Sequence, residues 1–315
     1  MQPAYSIIFF TTASGCGYGL MFWLGLASLS GRLPADRGLV AVAMMLALAL
    51  VAGGLLSSTL HLGRPARAWR ALTQWRSSWL SREAVAALLT FPPALAFAFA
   101  GVWLGRVDGW AVLAGGLMAL GALATVVTTA MIYRTLKAVP RWHHPLVPAC
   151  YLALAGLTGA VWLALLLRAF GHELALPPIL AVLAAAFAAL VKLAYWRSID
   201  RSATIATAES ATGLGAFGRV RLLEPPHTGR NFLLQEMGYR VARKHTEKLR
   251  LLAGLCGFAL PALTSLASMA VPYWPAVLLL LLGAVAAGLG AVVERWLFFA
   301  EAKHTQMLYY GEAAA

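Results

Sequence analysis

Residues 39–60 read LVAVAMMLALALVAGGLLSSTL, a run without a charge or a proline. About 20 mostly apolar residues cross the ~30 Å hydrocarbon core of a bilayer as a helix. The run is Leu/Ala-rich and does not alternate, which argues against a strand. A segment in lipid must satisfy its own backbone polar groups, so it is read as a transmembrane helix. Outward from it, seven more stretches qualify, at 5–29, 84–105, 110–132, 146–170, 174–196, 250–270 and 275–298. Polar or turn-forming breaks at 30–38, 106–109, 140–145 and 272–275 separate them. The expected fold class is an all-α integral membrane protein, a bundle of eight transmembrane helices.

Composition agrees. Of 315 residues, 61% are hydrophobic and 12% charged, about half the ~25% charge of a soluble domain, so a water-soluble globule is excluded. The net charge is +13, and in a membrane protein such an excess is first a topology signal and only second a hint of acidic partners; no nucleic acid is expected. With each basic residue assigned to the side its segment would occupy, one side carries all but Arg32, Arg37, Arg106 and Arg168. Both termini are therefore expected in the cytoplasm. No Lys or Arg precedes Arg32, so the first apolar run lacks the basic flank of a cleavable signal and is expected to be retained.

The chain divides into a six-helix membrane region (1–196), a basic cytoplasmic loop (197–249) and a two-helix region with a short tail (250–315). The loop holds nine of the 25 basic residues, and Arg250 follows at its end. Its second half has a helical amphipathic pattern through Phe232, Leu233, Met237 and Val241, expected to be ordered by a partner or along the membrane surface.

Cys16, Cys150 and Cys256 are far apart and form no CxxC pair, so an iron–sulfur cluster held by this chain is not expected. The seven histidines, at 61, 143, 144, 172, 227, 245 and 304, all avoid the middle of an apolar run, where a b-type haem would need them. His143 and His144 stand before Pro145, as an interfacial cap or, less simply, as ligands. Lys192 and Arg295 read as snorkelling cations at helix ends, with Glu294 a local partner of Arg295.

The most suggestive constellation is Ser58-Thr59-Leu60-His61-Leu62-Gly63-Arg64-Pro65, followed by Trp69, Arg70, Trp75, Trp79, Ser81, Arg82 and Glu83. A histidine ends helix 2 and a carboxylate opens helix 3, at one membrane depth beside a basic, aromatic link. Quinone chemistry moves two electrons and two protons, and needs an apolar slot, a donor to a carbonyl oxygen and a proton relay. His61 would supply the hydrogen bond, Glu83 the relay and Arg64 a cation favouring negative charge on the ring, with Trp69 beside them. Capping explains the same residues equally well: His61 at the carbonyl end of helix 2, Ser81 with Glu83 at the start of helix 3, and the tryptophans as an interfacial belt.

The segments QPAYSIIFFTT (2–12), STLHLGRPARAW (58–69), SSWLSREA (77–84), RSATIATAESATGLG (201–215) and EPPHTGRNFLLQEMGYRVARKH (224–245) together resemble the membrane anchor subunit of the dimethyl sulfoxide reductase family. They are most like the anchors of cytoplasm-facing sulfite-oxidising complexes. The resemblance implies a haem-free subunit of the bacterial inner membrane that is not a catalyst by itself. It would hold a catalytic subunit with a molybdenum bis-pterin cofactor and a four-cluster iron–sulfur subunit on the cytoplasmic face. It would exchange electrons with ubiquinone or menaquinone, and the family's quinone chemistry maps onto His61 and Glu83. Electrons would run from sulfite to quinone; the alternatives are a reductase-type anchor that oxidises quinol, a secondary transporter, or a scaffold without a quinone site. The isolated subunit is expected to show neither a haem Soret band nor cluster absorption, and a stoichiometric b-type spectrum would overturn that expectation.

Overall fold

The computed structural model describes residues 3–59, 64–202, 206–224, 229, 237 and 245–312. Eight helices are long and apolar enough to cross a membrane: α1 Tyr5–Leu29, α2 Arg37–Thr59, α3 Trp79–Leu104, α4 Trp110–Arg134, α5 Val147–Ala169, α6 Leu176–Arg201, α7 Thr246–Ser268 and α8 Tyr273–Ala300. No β-strand occurs among the described residues. The expected class and helix count therefore hold. Three boundaries move outward by four residues or more: α3 starts at Trp79, α6 continues to Arg201 and α7 starts at Thr246. Apolarity marks the stretch that lipid contacts, whereas hydrogen bonding carries a helix on into the headgroup region. At α3 the start is set by Ser78, whose hydroxyl accepts from the Ser81 amide at 3.4 Å.

The bundle is apolar outside and inside. Leu89, Trp103, Leu120 and Leu190 face outward, as a lipid-facing surface requires. α5 is the most buried helix, enclosed by α1, α4, α6 and α8. In lipid no hydrophobic effect drives helices together, so close van der Waals contact has to do it, and small residues permit that. A Cβ on Gly159 of α5 would lie 2.1 Å from the backbone of Gly19 in α1. Beside this crossing, the Trp23 indole N–H donates to the Gly156 carbonyl at 2.7 Å. α7 meets α8 in the same way, Gly257 against Gly290. In α7 the segment Leu255–Ala259 widens to a π-helical turn just before Pro261, where a ring that cannot donate a hydrogen bond would otherwise crowd the preceding turn.

The helices alternate in direction, so the links sort onto two ends. At one end Asp36 receives the Leu39 amide at 3.0 Å and pairs with His172 at 3.0 Å, while Tyr273 donates to the Ala169 carbonyl at 2.6 Å. The Leu39 amide, and then His172, hold the Asp36 carboxyl below the usual carboxylate range, so this latch weakens as pH falls through that depressed value. The other end holds Pro3, Glu312 and the described parts of the basic links. There Glu301 accepts from Arg141 at 2.9 Å and from Arg250 at 3.0 Å, and Arg250 also reaches Asp200 of α6 at 3.0 Å. The tail turns back as a 3₁₀ helix, Thr305–Tyr310, with the Thr305 amide on the Ala138 carbonyl at 2.9 Å and Tyr309 on that of Ala211 at 2.8 Å. In the long link between α6 and α7 a short helix, Ala208–Thr212, is held by a capping box from Thr207 and Ser210. The amphipathic helix expected over Phe232, Leu233 and Val241 lies outside the described residues.

The glycine contacts give a paired test on one helix. Gly159→Leu should force α1 and α5 apart and cost at least the ~1–3 kcal/mol of an overpacked core. Gly156→Ala, whose new methyl meets nothing within 4 Å, should be neutral or stabilising. Thermal unfolding of the protein in detergent distinguishes the two; equal stability would contradict the close crossing.

Candidate functional site

Where α2 ends and α3 begins, the link between them arches over a cleft. Its described part runs from Arg64 into a 3₁₀ helix, Pro65–Leu72, begun by a proline whose missing amide costs nothing there. The arch is tied to α3 by Arg82, which donates to the carbonyls of Trp75 and Arg76 at 3.0 and 2.8 Å and lies 4.3 Å over the Trp79 ring. Beneath it the cleft has a volume of about 560 Å³, within the ~300–1,000 Å³ of ordinary small-molecule sites. Apolar walls come from Ile7 and Phe10 of α1, Leu55 of α2, Leu80 of α3 and Ile132 of α4; the polar groups are Ser58, Thr59, Arg64, Arg67, Glu83 and Tyr133.

Glu83 sits at the inner end. It is 5% exposed, and its Oε1 accepts from the hydroxyl of Thr129, one helix away on α4. None of the ion pairs among the described residues involves it. It is therefore no helix cap: Ser78 fills that place, and Glu83 points into the bundle, so half of the capping alternative falls. The Thr129 hydroxyl also lies 2.9 Å from the carbonyl of Thr125, which fixes its rotamer. Arg64 is exposed and lines the mouth with Arg67. His61 lies outside the described residues; in sequence it stands between Thr59 and Arg64, both of which line the cleft. Trp69 does not line it. That ring is 62% exposed, with the Arg70 guanidinium 5.6 Å from its centroid.

Chemically, the cleft can take a flat, mostly apolar molecule. It offers one buried carboxyl for proton exchange and two cations at the mouth to favour negative charge. His143 and His144 have backbone and hydroxyl partners instead: His143 Nδ1 lies 2.5 Å from the Arg134 carbonyl, and His144 Nε2 lies 2.9 Å from Ser198 Oγ. Burial, and then the charge of Arg134, keep His144 below the ordinary imidazole range, so it is neutral at pH 7. Among the described residues no three His, Cys, Asp or Glu side chains come together as a metal site.

The structure corrects the reading of Lys192 and Arg295. Neither snorkels: Lys192, Glu294 and Arg295 are 2%, 1% and 2% exposed. Lys192 pairs with Glu294 across α6 and α8, and its ammonium lies 4.2 Å over Tyr195. Arg295 Nε donates to Glu294 Oε2 at 2.5 Å while the guanidinium lies 4.1 Å over Tyr151 and 4.9 Å over Phe298. Because α6 runs on to Arg201, Lys192 is nine residues, about 13 Å, from its end, a reach its four-carbon stem does not have. The signal that could have found the cluster was opposite charge at similar depth in two helices ending on the same side.

Comparison with known proteins bears on both sites. The family model for the DMSO reductase anchor subunit (DmsC) matches residues 1–223, which include every residue of the cleft. One sulfite dehydrogenase subunit of Allochromatium vinosum, its C component, is 33% identical over 337 aligned positions, covering 100% of both chains. The anaerobic dimethyl sulfoxide reductase chain YnfH of Escherichia coli is 27% identical over 177 positions, 52% of this chain and 58% of its own.

The charge cluster predicts an asymmetry. Glu294→Gln leaves two buried cations without a carboxylate and should cost about 3–5 kcal/mol, whereas Lys192→Met leaves Glu294 paired with Arg295 and should cost clearly less. Denaturation of the solubilised protein measures both; an equal or reversed order would contradict the pairing.

Proposed function

The chain belongs to the family of DMSO reductase anchor subunits, and from that premise we propose that it is the quinone-interacting anchor of a molybdenum/iron–sulfur oxidoreductase in the bacterial cytoplasmic membrane. The observation that carries this reading is the cleft between α2 and α3, where a buried carboxyl with a single hydroxyl partner ends an apolar slot at the basic end of the bundle.

The residues present fit a quinone. Apolar walls suit its ring, the charged mouth suits its oxygens, and Arg64 and the neighbouring His61 are of the types that donate to a carbonyl oxygen. When bound, a quinone supplies two-electron, two-proton chemistry. Glu83 holds or takes a proton at a carboxylate oxygen, and Thr129 keeps that carboxyl aimed at the slot. Ile7, Phe10 and Leu80 exclude water, which strengthens the pull of each charge on the site. Arg64 and Arg67 place positive potential at the mouth, where negative charge would arise on the ring.

Position supports the partners. The basic end holds the links 64–78 and 135–146 and the described parts of the long link after α6, and the excess of Lys and Arg in these segments supports a cytoplasmic face there. A four-cluster iron–sulfur subunit docks on this face and carries a molybdopterin catalytic subunit. Electrons cross by tunnelling, so in a haem-free anchor, as the family likeness implies, the quinone has to be met near the docking face, where the cleft is. Full-length likeness to a sulfite dehydrogenase subunit favours sulfite oxidation as the source of electrons and quinone as their acceptor. The second reading, an anchor that oxidises quinol for a reductase, draws on the shorter match to the dimethyl sulfoxide reductase chain.

His61→Ala and Glu83→Gln should each lower quinone-coupled turnover about 100-fold or more, the scale of a lost acid–base group. Assembly, and turnover of the partner with a soluble electron acceptor, should stay near normal. Should both variants keep full quinone activity, the cleft is not the quinone site.

A further inference from the structure

Behind Glu83 the polar interior continues. Thr129, the partner of Glu83, also lines a small, partly open cavity among α1, α4, α5 and α8. Four donor atoms of its lining residues lack a partner at good hydrogen-bond geometry: the Tyr18 hydroxyl, which lies beside Thr125, and the Tyr151 hydroxyl with Nη1 and Nη2 of Arg295, which lie beside each other. All three side chains are buried, where an unmet donor costs about 1–3 kcal/mol and a charged one more. The hydroxyls of Thr11, Ser14 and Thr158 give their protons to carbonyls of their own helices, at 2.9, 2.6 and 2.9 Å. What these three have left to offer the cavity is lone pairs.

A lining of unmet donors and free lone pairs matches water, which both accepts and donates; a small anion would answer the donors alone. The free volume is about 30 Å³, room for one or two water molecules at ~10–15 Å³ each and far too little for a quinone ring. Charge adds a second argument. Lys192 and Arg295 face one carboxylate, Glu294, so this cluster carries one positive charge too many. The fourth buried ionisable group of the region is Glu83, and it has no cation of its own among the described ion pairs.

We propose that the cavity is a water-binding site through which Arg295 acts as the counter-charge of Glu83. Arg295 is thus a positioning residue for the proton chemistry of the cleft. The water lies between the guanidinium and Thr129, which holds the Glu83 carboxyl from behind. A second, dry connection runs beside it: the Arg295 guanidinium over Tyr151, and Tyr151 stacked on Tyr133 at 5.9 Å, which lines the cleft with Glu83. The four buried groups are neutral in sum when Glu83 is ionised and carry +1 when it is protonated. Taking up a proton at the cleft therefore leaves the cation in excess on α6 and α8 without its counter-charge.

The role of the coupling rests on the quinone reading of the cleft; its existence does not. Around Glu83, Tyr133 of α4 and Arg64 and Arg67 of the link line the same cleft, Tyr18 of α1, Tyr151 of α5 and Arg295 of α8 line the cavity behind Thr129, and Glu294 of α8 and Lys192 of α6 follow beyond Arg295. Infrared titration of the whole complex without quinone would follow the Glu83 carboxyl band, identified by its loss in Glu83→Gln. Removing a cation leaves the ionised carboxylate uncompensated. Arg295→Gln and Lys192→Met should each raise the pH at which Glu83 loses its proton by about one unit, a tenfold change in proton affinity. That is the order expected of a unit charge acting across a few side chains at an effective dielectric of ~20. Arg295→Lys keeps the charge and should leave the midpoint near its original value. An unchanged midpoint in both charge-removing variants overturns the coupling. A density map of the complex that resolves bound water elsewhere should show one or two waters on Arg295 and Tyr151; a dry cavity, or an anion in it, overturns the water site. If the midpoints shift while Glu83→Gln keeps normal quinone turnover, the cleft reading has failed and the coupling stands.

Discussion

Lys192 cannot reach water from its place in α6, so Glu294 of α8 has to meet it inside the bundle. A lone ammonium in so dry a site would be more costly than any packing defect nearby, and the pair forms only if α6 and α8 lie at one depth and one rotation. Arg295 then takes the other carboxylate oxygen, and its guanidinium, spread over Tyr151 and Phe298, brings α5 into the same arrangement. The aromatic cluster of Tyr133, Trp142, Tyr151, Phe298 and Phe299 follows from that placement, with the Trp142 indole donating to the Phe298 carbonyl at 2.8 Å. Tyr133 is the member that also reaches the cleft. The charge cluster and the cleft are thus opposite edges of one packed unit.

This arrangement divides the labour among the helices. α1, α4 and α5 cross closely through glycine and alanine and change little whatever binds nearby. The arch from 64 to 78 is tied mainly through Arg82 and its stack on Trp79. A ligand entering from lipid meets a fixed floor, Glu83 on Thr129, under a lighter roof. Apolar walls with few polar groups, each oriented by a neighbour, make a site that binds by shape and discriminates by proton exchange.

The eight spans were legible because hydrophobic run length is a one-dimensional property. So was the pairing of Glu83 with the end of α2, since a short link between antiparallel helices brings their ends together whatever else the fold does. Other parts had no such shortcut. Thr129 is 46 residues from Glu83, and nothing in its own segment marks it off from the hydroxyls at 125 and 128. Whether Glu83 capped its helix or turned inward depended on Ser78, because a cap three residues before Ser81 leaves Glu83 beyond the first turn, out of reach of the free amides. Lys192 and Arg295 were taken for interfacial cations because charge near the end of an apolar run usually is. The length of α6 beyond that run decided otherwise. Trp69 shows the reverse error, a residue suited to stacking that the arch turns away from the slot.

Glu301 closes the basic end by accepting from Arg141 and Arg250, which precede it in the chain by 160 and 51 residues. In order of synthesis both arginines emerge long before their acceptor. The tail that follows Glu301 then fastens onto Ala138 and Ala211. The surface at this end is therefore finished last, after the eighth helix has been inserted. A truncated or half-inserted chain would leave Arg141 without its carboxylate and Arg250 held by Asp200 alone, so completion of the membrane part is written into the shape of the face itself.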